Sequence, residues 1–157
     1  FKLSGSSIVT VNKEIDGFIL NRLQGALLNE AMRLYSEGYA SSEDIDATIK
    51  DGLGLRWAFM GPFETIDLNA PGGIKDYMAR YGSIFIEMAK SQTKIPDWSE
   101  NAGKKLELER RKVLSEDDLE LRAKKRNFLL KQLRKLKIDN DETEEIGILN
   151  FVTIRKY

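Results

Sequence analysis

Ile15-Asp16-Gly17-Phe18-Ile19-Leu20-Asn21-Arg22-Leu23-Gln24-Gly25-Ala26-Leu27-Leu28-Asn29-Glu30-Ala31-Met32-Arg33-Leu34-Tyr35-Ser36-Glu37 is the stretch that decides the fold. Its apolar residues fall at Ile15, Phe18, Ile19, Leu23, Leu27, Ala31 and Leu34, in steps of three and four, the repeat of an α-helix. Leu20, Leu28 and Tyr35 widen the stripe beyond what a surface helix needs, so this helix is expected to lie centrally in a core or an interface. Asp16 is placed to cap its start and Gly38 to end it.

Outward from that helix the chain reads as all-α. Ser41 and Asp44 resemble a capping box, predicting a second helix from about Ser42 that stops at Gly52. Gly52-Leu53-Gly54-Leu55-Arg56-Trp57 then reads as a linker to Gly61-Pro62, with Pro62 opening a short helix to about Leu68. After the break Ala70-Pro71-Gly72-Gly73, the residues Ile74, Tyr77, Met78, Tyr81, Phe85, Met88 and Ala89 form a further amphipathic stripe that Ile95-Pro96 interrupts. Beyond Pro96 the composition turns to Lys, Arg, Glu and Leu, with a restart at Ser115 capped through Asp118 and a thinner stripe of Leu119, Ala123, Leu129, Leu133 and Leu136. One or two charged helices folded onto the core are expected there.

The two ends read differently. Ile8-Val9-Thr10-Val11 is β-branched and predicts one short strand with no second strand to pair it, the remnant of a sheet lying outside this sequence. Asp139-Asn140-Asp141-Glu142-Thr143-Glu144-Glu145 alternates oxygen ligands but lacks the glycine of a calcium-binding loop, so it reads as a solvated linker and no metal site is expected. Ile146 to Tyr157 is β-prone. The expected organisation is residues 1–13 as the end of another domain, 14–98 as a helical domain, 99–137 as a charged helical extension and 138–157 as linker and tail.

Composition narrows the function. Among the 157 residues, 25 Lys and Arg balance 25 Asp and Glu, so no overall field recruits nucleic acid or an anionic membrane, and neither is expected as a partner. The absence of cysteine removes disulfides and thiolate chemistry, and the absence of histidine removes the usual proton acceptor near neutral pH. These residues alone are expected to be inactive. No apolar run approaches the ~20 residues that span a bilayer, and a cytoplasmic location is the expectation.

Two polar residues stand out. Asn21 lies four residues from both Gly17 and Gly25 on one face of the apolar helix, where an amide can hydrogen-bond a substrate oxygen or satisfy a neighbouring backbone group. Arg56 stands between Leu55 and Trp57, where a guanidinium can grip a carboxylate bidentately or pair with Glu64 or Asp67. Gly52 and Gly54 do not make a dinucleotide fingerprint, because Trp57 takes the third glycine's place and a helix precedes them instead of a strand. They read as a tight connection between helices, and Trp57, Phe59, Met60 and Phe63 read as core.

Asp16-Gly17-Phe18-Ile19-Leu20-Asn21-Arg22-Leu23, then Glu30-Ala31, Glu43-Asp44-Ile45-Asp46 and Gly61-Pro62-Phe63-Glu64, in that order and spacing, resemble the C-terminal domain of the 3-hydroxyacyl-CoA dehydrogenases. The segment Gly52-Leu53-Gly54-Leu55-Arg56-Trp57-Ala58-Phe59-Met60-Gly61-Pro62 is similar to the lambda-crystallin and L-gulonate 3-dehydrogenase branch, which is related to carnitine dehydrogenases. The resemblance runs from about Ile8 to Trp98 and more loosely to Lys137. It implies a parent enzyme in which a Rossmann domain outside these residues binds NAD and supplies the catalytic histidine, while the helical domain closes the substrate cleft and forms a homodimer. It further implies that Asn21 is the catalytic amide assisting that histidine and the substrate oxygen, and that Arg56 binds the carboxylate of a small acidic substrate. The implied activity is oxidation of the hydroxyl of a small hydroxy acid with NAD. A 3-hydroxyacyl-CoA or carnitine substrate is one alternative, and a non-catalytic, crystallin-like dimerisation module is another.

Overall fold

The computed structural model describes residues 9–154, with side chains described through residue 140. Among the described residues there is no strand. The elements in chain order are α1 (Phe18–Ser36), α2 (Ser42–Thr48), a π-helical turn (Ile49–Leu53), α3 (Gly54–Trp57), α4 (Pro62–Leu68), α5 (Gly73–Ser91), α6 (Glu100–Val113) and α7 (Leu119–Ile154). The chain divides into two units, residues 13–113 and residues 1–12 with 114–157.

Local chemistry explains the ends of the helices in the first unit. α1 closes in a Schellman motif: Gly38 sits at φ 78°, its N–H donates to the Tyr35 carbonyl, and the Tyr39 N–H reaches back to Leu34. Ser41 caps α2 by accepting the Asp44 N–H on its hydroxyl. Pro62 occupies the first turn of α4, where its missing N–H leaves no hydrogen bond unmade. Asp67 at the end of α4 caps the next helix, its Oδ1 accepting the Ile74 N–H at 2.6 Å.

Three expectations in this unit change. Asp16 does not cap α1; Gly17 takes that position with φ 80°, no side chain caps the helix, and Phe18 follows at φ 49°. With Gly17 left-handed, the Phe18 N–H turns back to the Ile15 carbonyl in place of a side-chain cap. The helix from Ser42 does not stop at Gly52, and Gly52–Trp57 is not a linker. α2, the π-turn and α3 form one helical run, in which the Gly54 N–H bonds the Ile49 carbonyl five residues back. Finally, the apolar stripe of α1 is covered over only part of its length. Met32 is buried and Leu27, Ala31 and Leu34 are half-buried, but Leu20 remains 75% exposed.

α2 packs on α1 and α6, and α4 packs on α3 and α5. The expectation of a charged helix folded onto the core is met by α6: the Glu109 carboxylate accepts the Ser42 N–H at 2.8 Å, and Arg110 pairs with Asp46 at 3.2 Å.

In the second unit, Ser115 caps the segment before α7 by accepting the Asp118 N–H, as its spacing predicts. The backbone then stays helical from Leu119 to Ile154, so residues 146–154, β-prone by composition, form a helix and not a strand. Asp, Glu, Lys and Leu are compatible with a helix, and local β-propensity is a weak preference when a preceding helix can propagate. Val9, Thr10 and Val11 have no strand partner, because strand hydrogen bonds exist only against a neighbouring strand; Ile8 and residues 155–157 lie outside the described part.

Candidate functional site

α1 divides into two polar environments. Toward its C-terminus, Arg33 Nε donates to Glu30 Oε2 at 2.8 Å and Arg33 Nη1 to Glu37 Oε2 at 2.9 Å, while Lys94 approaches Glu37 at 3.6 Å. The hydrogen bond from Arg33 is the main reason the Glu30 carboxyl is held below its ordinary pKa. Trp98 Nε1 donates to Asn29 Oδ1 at 3.0 Å, tying the start of the charged extension back to α1. A cleft lined by Ala26, Asn29, Glu30, Arg33, Gln92, Lys94 and Pro96 lies among these groups. Its Glu30 and Arg33 are paired with each other and its Lys94 approaches Glu37, so among the described residues each charged group of the cleft already has a partner.

The same end of α1 is engaged by α6 through Tyr35. The Glu109 carboxyl is held low first by the Ser42 backbone N–H and further by the Tyr35 hydroxyl. Burial is the main cause that pushes the Tyr35 hydroxyl up, with Glu109 adding to it. Lys105 Nζ lies 6.0 Å from the centre of the Tyr35 ring.

The N-terminal half of α1 contrasts with this. Asn21 is exposed, and its side chain makes no hydrogen bond among the described residues. A Cβ placed on Gly17 would come within 3.8 Å of the Asn21 Cβ, and one on Gly25 would meet nothing within 4 Å, so the glycines do leave low ground beside the amide. Neither backbone satisfaction nor burial explains Asn21 here.

Arg56 is likewise exposed, and its side chain forms no ion pair or hydrogen bond among the described residues. The pairing considered with Asp67 is not made, because that carboxylate caps α5; nor does Glu64 pair with Arg56. Trp57, Phe59 and Phe63, read from sequence as core, are 41%, 53% and 75% exposed in this unit. No bond joins Asn21 to Arg56. Each is an unpaired polar group standing in a field of exposed apolar side chains, with Phe18, Leu20 and Leu23 around the first and Leu55 and Trp57 beside the second.

Gly52 and Gly54, set aside as a phosphate loop on spacing alone, belong to the helical run. The Gly54 N–H is spent on the Ile49 carbonyl and cannot also cradle a pyrophosphate. Gly52 and Gly54 therefore form no phosphate loop, and Asn21 and Arg56 present an exposed amide and an exposed guanidinium. The close approach of Gly54 to the Ile49 carbonyl was missed, although a glycine pair inside an otherwise helical pattern is a signal of close backbone approach.

Comparison with known proteins bears on these residues. The family model described as "3-hydroxyacyl-CoA dehydrogenase, C-terminal domain" matches residues 17–113. The chain is 44% identical over 135 residues to the lambda-crystallin of Oryctolagus cuniculus, covering 85% of this chain and 42% of that protein. It is 38% identical over 138 residues to the lambda-crystallin homolog of Homo sapiens, covering 87% of this chain and 43% of that protein. It is 42% identical over 83 residues to the L-carnitine dehydrogenase of Streptomyces coelicolor, covering 52% of this chain and 26% of that protein. The chain spans about two fifths of the length of the lambda-crystallins it matches.

Proposed function

The chain belongs to the family of the 3-hydroxyacyl-CoA dehydrogenase C-terminal domain, and from that premise we propose that it is the substrate-side, dimer-forming part of an NAD-dependent oxidoreductase acting on the hydroxyl of a small hydroxy acid. The observation that carries this reading is that Arg56, in the matched region, is an exposed guanidinium without a protein partner. A carboxylate is the anion it fits bidentately, and holding the acid end fixes where the hydroxyl-bearing carbon lies. Asn21 then orients the hydroxyl oxygen through its amide. The 157 residues contain no histidine, so the hydroxyl proton passes to a base outside them, and NAD is held outside them as well. On their own these residues are inactive.

The test joins this chain to the N-terminal part of the rabbit lambda-crystallin and compares L-gulonate, L-carnitine and a 3-hydroxyacyl-CoA thioester. In this reading L-gulonate gives the highest kcat/KM and Arg56→Ala raises its KM. A preference for the thioester, unaffected by Arg56→Ala, removes Arg56 from the site and moves the substrate to the acyl-CoA class.

A second reading, a helical dimerisation module with no catalytic role, is favoured by the exposed apolar faces of α1 and α5, including Leu20, Met78, Phe85 and Ile86. Both readings include a homodimer. Sedimentation of the chain at high micromolar concentration tests it, and a strictly monomeric species counts against self-association through these helices.

A further inference from the structure

We infer that the π-turn at Ile49–Leu53, made possible by Gly54, is the device that aims Arg56 outward, so that Gly54 is a positioning residue for the substrate carboxylate. The inference rests on the reading of Arg56 given above.

The argument is one of helical register. Ile45 and Ile49, with buried Ser42, lie on one covered side of the run that starts at Ser42. In an unbroken α-helix each residue advances about 100°, so a residue seven or eleven positions on returns to within roughly 20° of its starting face. Arg56 is seven residues beyond Ile49 and eleven beyond Ile45. An ordinary helix would therefore bring the guanidinium onto the same side as two apolar residues, where a charge is costly. The π-turn inserts one extra residue, turning everything after it by about one residue's step, roughly 100°. Arg56 is accordingly exposed. The same insertion brings Leu53 onto the side of Ile45, and Leu53 is half-buried.

Gly54 permits this insertion. Its N–H bonds the Ile49 carbonyl in the five-residue pattern, and a Cβ at position 54 would lie 2.9 Å from that same Ile49 oxygen. The obstructing atom is backbone, which has no rotamer to escape into. Any other residue at position 54 thus pushes against the hydrogen bond that defines the π-turn. The φ of Gly54 is −61°, so its requirement is close approach and not an unusual backbone angle.

Two variants test the inference. Gly54→Ala opposes the π-turn. Deleting Lys50, an exposed residue inside the turn whose ion pair among the described residues is the surface contact with Asp51, removes the inserted residue and gives an ordinary α-turn without rotating Arg56. The first measurement is on the chain itself: the rate at which phenylglyoxal modifies Arg56, read by mass spectrometry against exposed Arg22 as internal reference. Gly54→Ala is expected to slow Arg56 several-fold relative to Arg22, and deletion of Lys50 in the Gly54→Ala background is expected to restore the rate. The second is on the chain joined to the N-terminal part of rabbit lambda-crystallin, where Gly54→Ala is expected to raise the KM for L-gulonate about tenfold with kcat little changed, and the deletion to reverse it. Unchanged modification in Gly54→Ala, or a slowed rate that the deletion does not restore, overturns the inference. If Gly54→Ala does not fold, the doubly altered chain decides: wild-type reactivity of Arg56 supports the register argument and reduced reactivity overturns it. If the modification rates follow expectation but Arg56→Ala leaves KM unchanged, it is the substrate reading of Arg56 that fails and the turn still aims the side chain.

Discussion

The two halves of α1 have similar apolar content and opposite polar surroundings. From Asn29 to Glu37 every prominent polar side chain is engaged: Asn29 by Trp98, Glu30 and Glu37 by Arg33. Met32 is buried beside them. From Phe18 to Leu23 the helix has no capping side chain and no partner for Asn21, and its apolar residues stay exposed. The α3 segment with Arg56 shares that unengaged character. A group that stabilises a fold is found already paired, because an unpaired buried group is costly; a group kept for a ligand is found exposed and waiting. The difference sets the paired polar residues that hold the fold apart from exposed ones, such as Asn21 and Arg56, that are free to meet a ligand.

Substitutions on the two sides should therefore fail in different ways. The largest effect belongs to Arg56→Ala in the joined enzyme, where losing a charge-assisted bond of about 1.5–3 kcal/mol raises KM for an acidic substrate roughly 10- to 100-fold. Thermal stability should stay unchanged, since Arg56 supports nothing in the fold; a fall in Tm of several degrees would break the comparison. On the engaged side, Met32→Ala should cost about 2–3 kcal/mol by urea unfolding, because Met32 is the buried apolar residue at the α1 packing face. An unaltered unfolding midpoint would show that this half is no better packed than the other.

Smaller effects sharpen the same contrast. Gly38→Ala forces a Cβ into a left-handed residue, with no neighbour within 4 Å to add a clash, and should lose about 1 kcal/mol at the Schellman turn. Glu109 supplies a pH signature. Its folded pKa lies below its unfolded value, held there first by the Ser42 N–H, so its contribution is present above the ordinary glutamate range and is lost as pH falls through the lowered value. Glu109→Gln should lower the neutral plateau of the Tm profile and flatten its acid side below about pH 4.5, because the unsubstituted chain loses the same contribution there. An acid limb identical to the unsubstituted chain would mean that the α6 contact titrates through other groups.

Much of the helical plan could be read from short-range chemistry. Pro62, Gly38, Ser41 with Asp44, and Ser115 with Asp118 each act on neighbours a few residues away, and the structure uses them where the spacing places them. Asp16 was misread because a left-handed Gly17 competes for the cap position, and two adjacent residues with capping ability look alike in a sequence. The Gly52–Trp57 segment was misread because two glycines resemble a linker until the backbone shows one of them against a carbonyl oxygen. Residues 146–154, β-prone by composition, are helical because β-branched composition is a weaker instruction than the helix already propagating into them.

By itself, then, the sequence determined that the chain is helical, where most helices stop, and that Asn21 and Arg56 are polar exceptions on apolar ground, because caps, periodicity and breakers are local and additive. Only the tertiary structure decided that the apolar stripe of α1 is covered at one end and bare at the other. It also decided that Arg56 faces outward. Both depend on which element lies against which, and on a single extra residue in one turn, and a one-residue change of register leaves almost no trace in composition while rotating every side chain beyond it by about 100°.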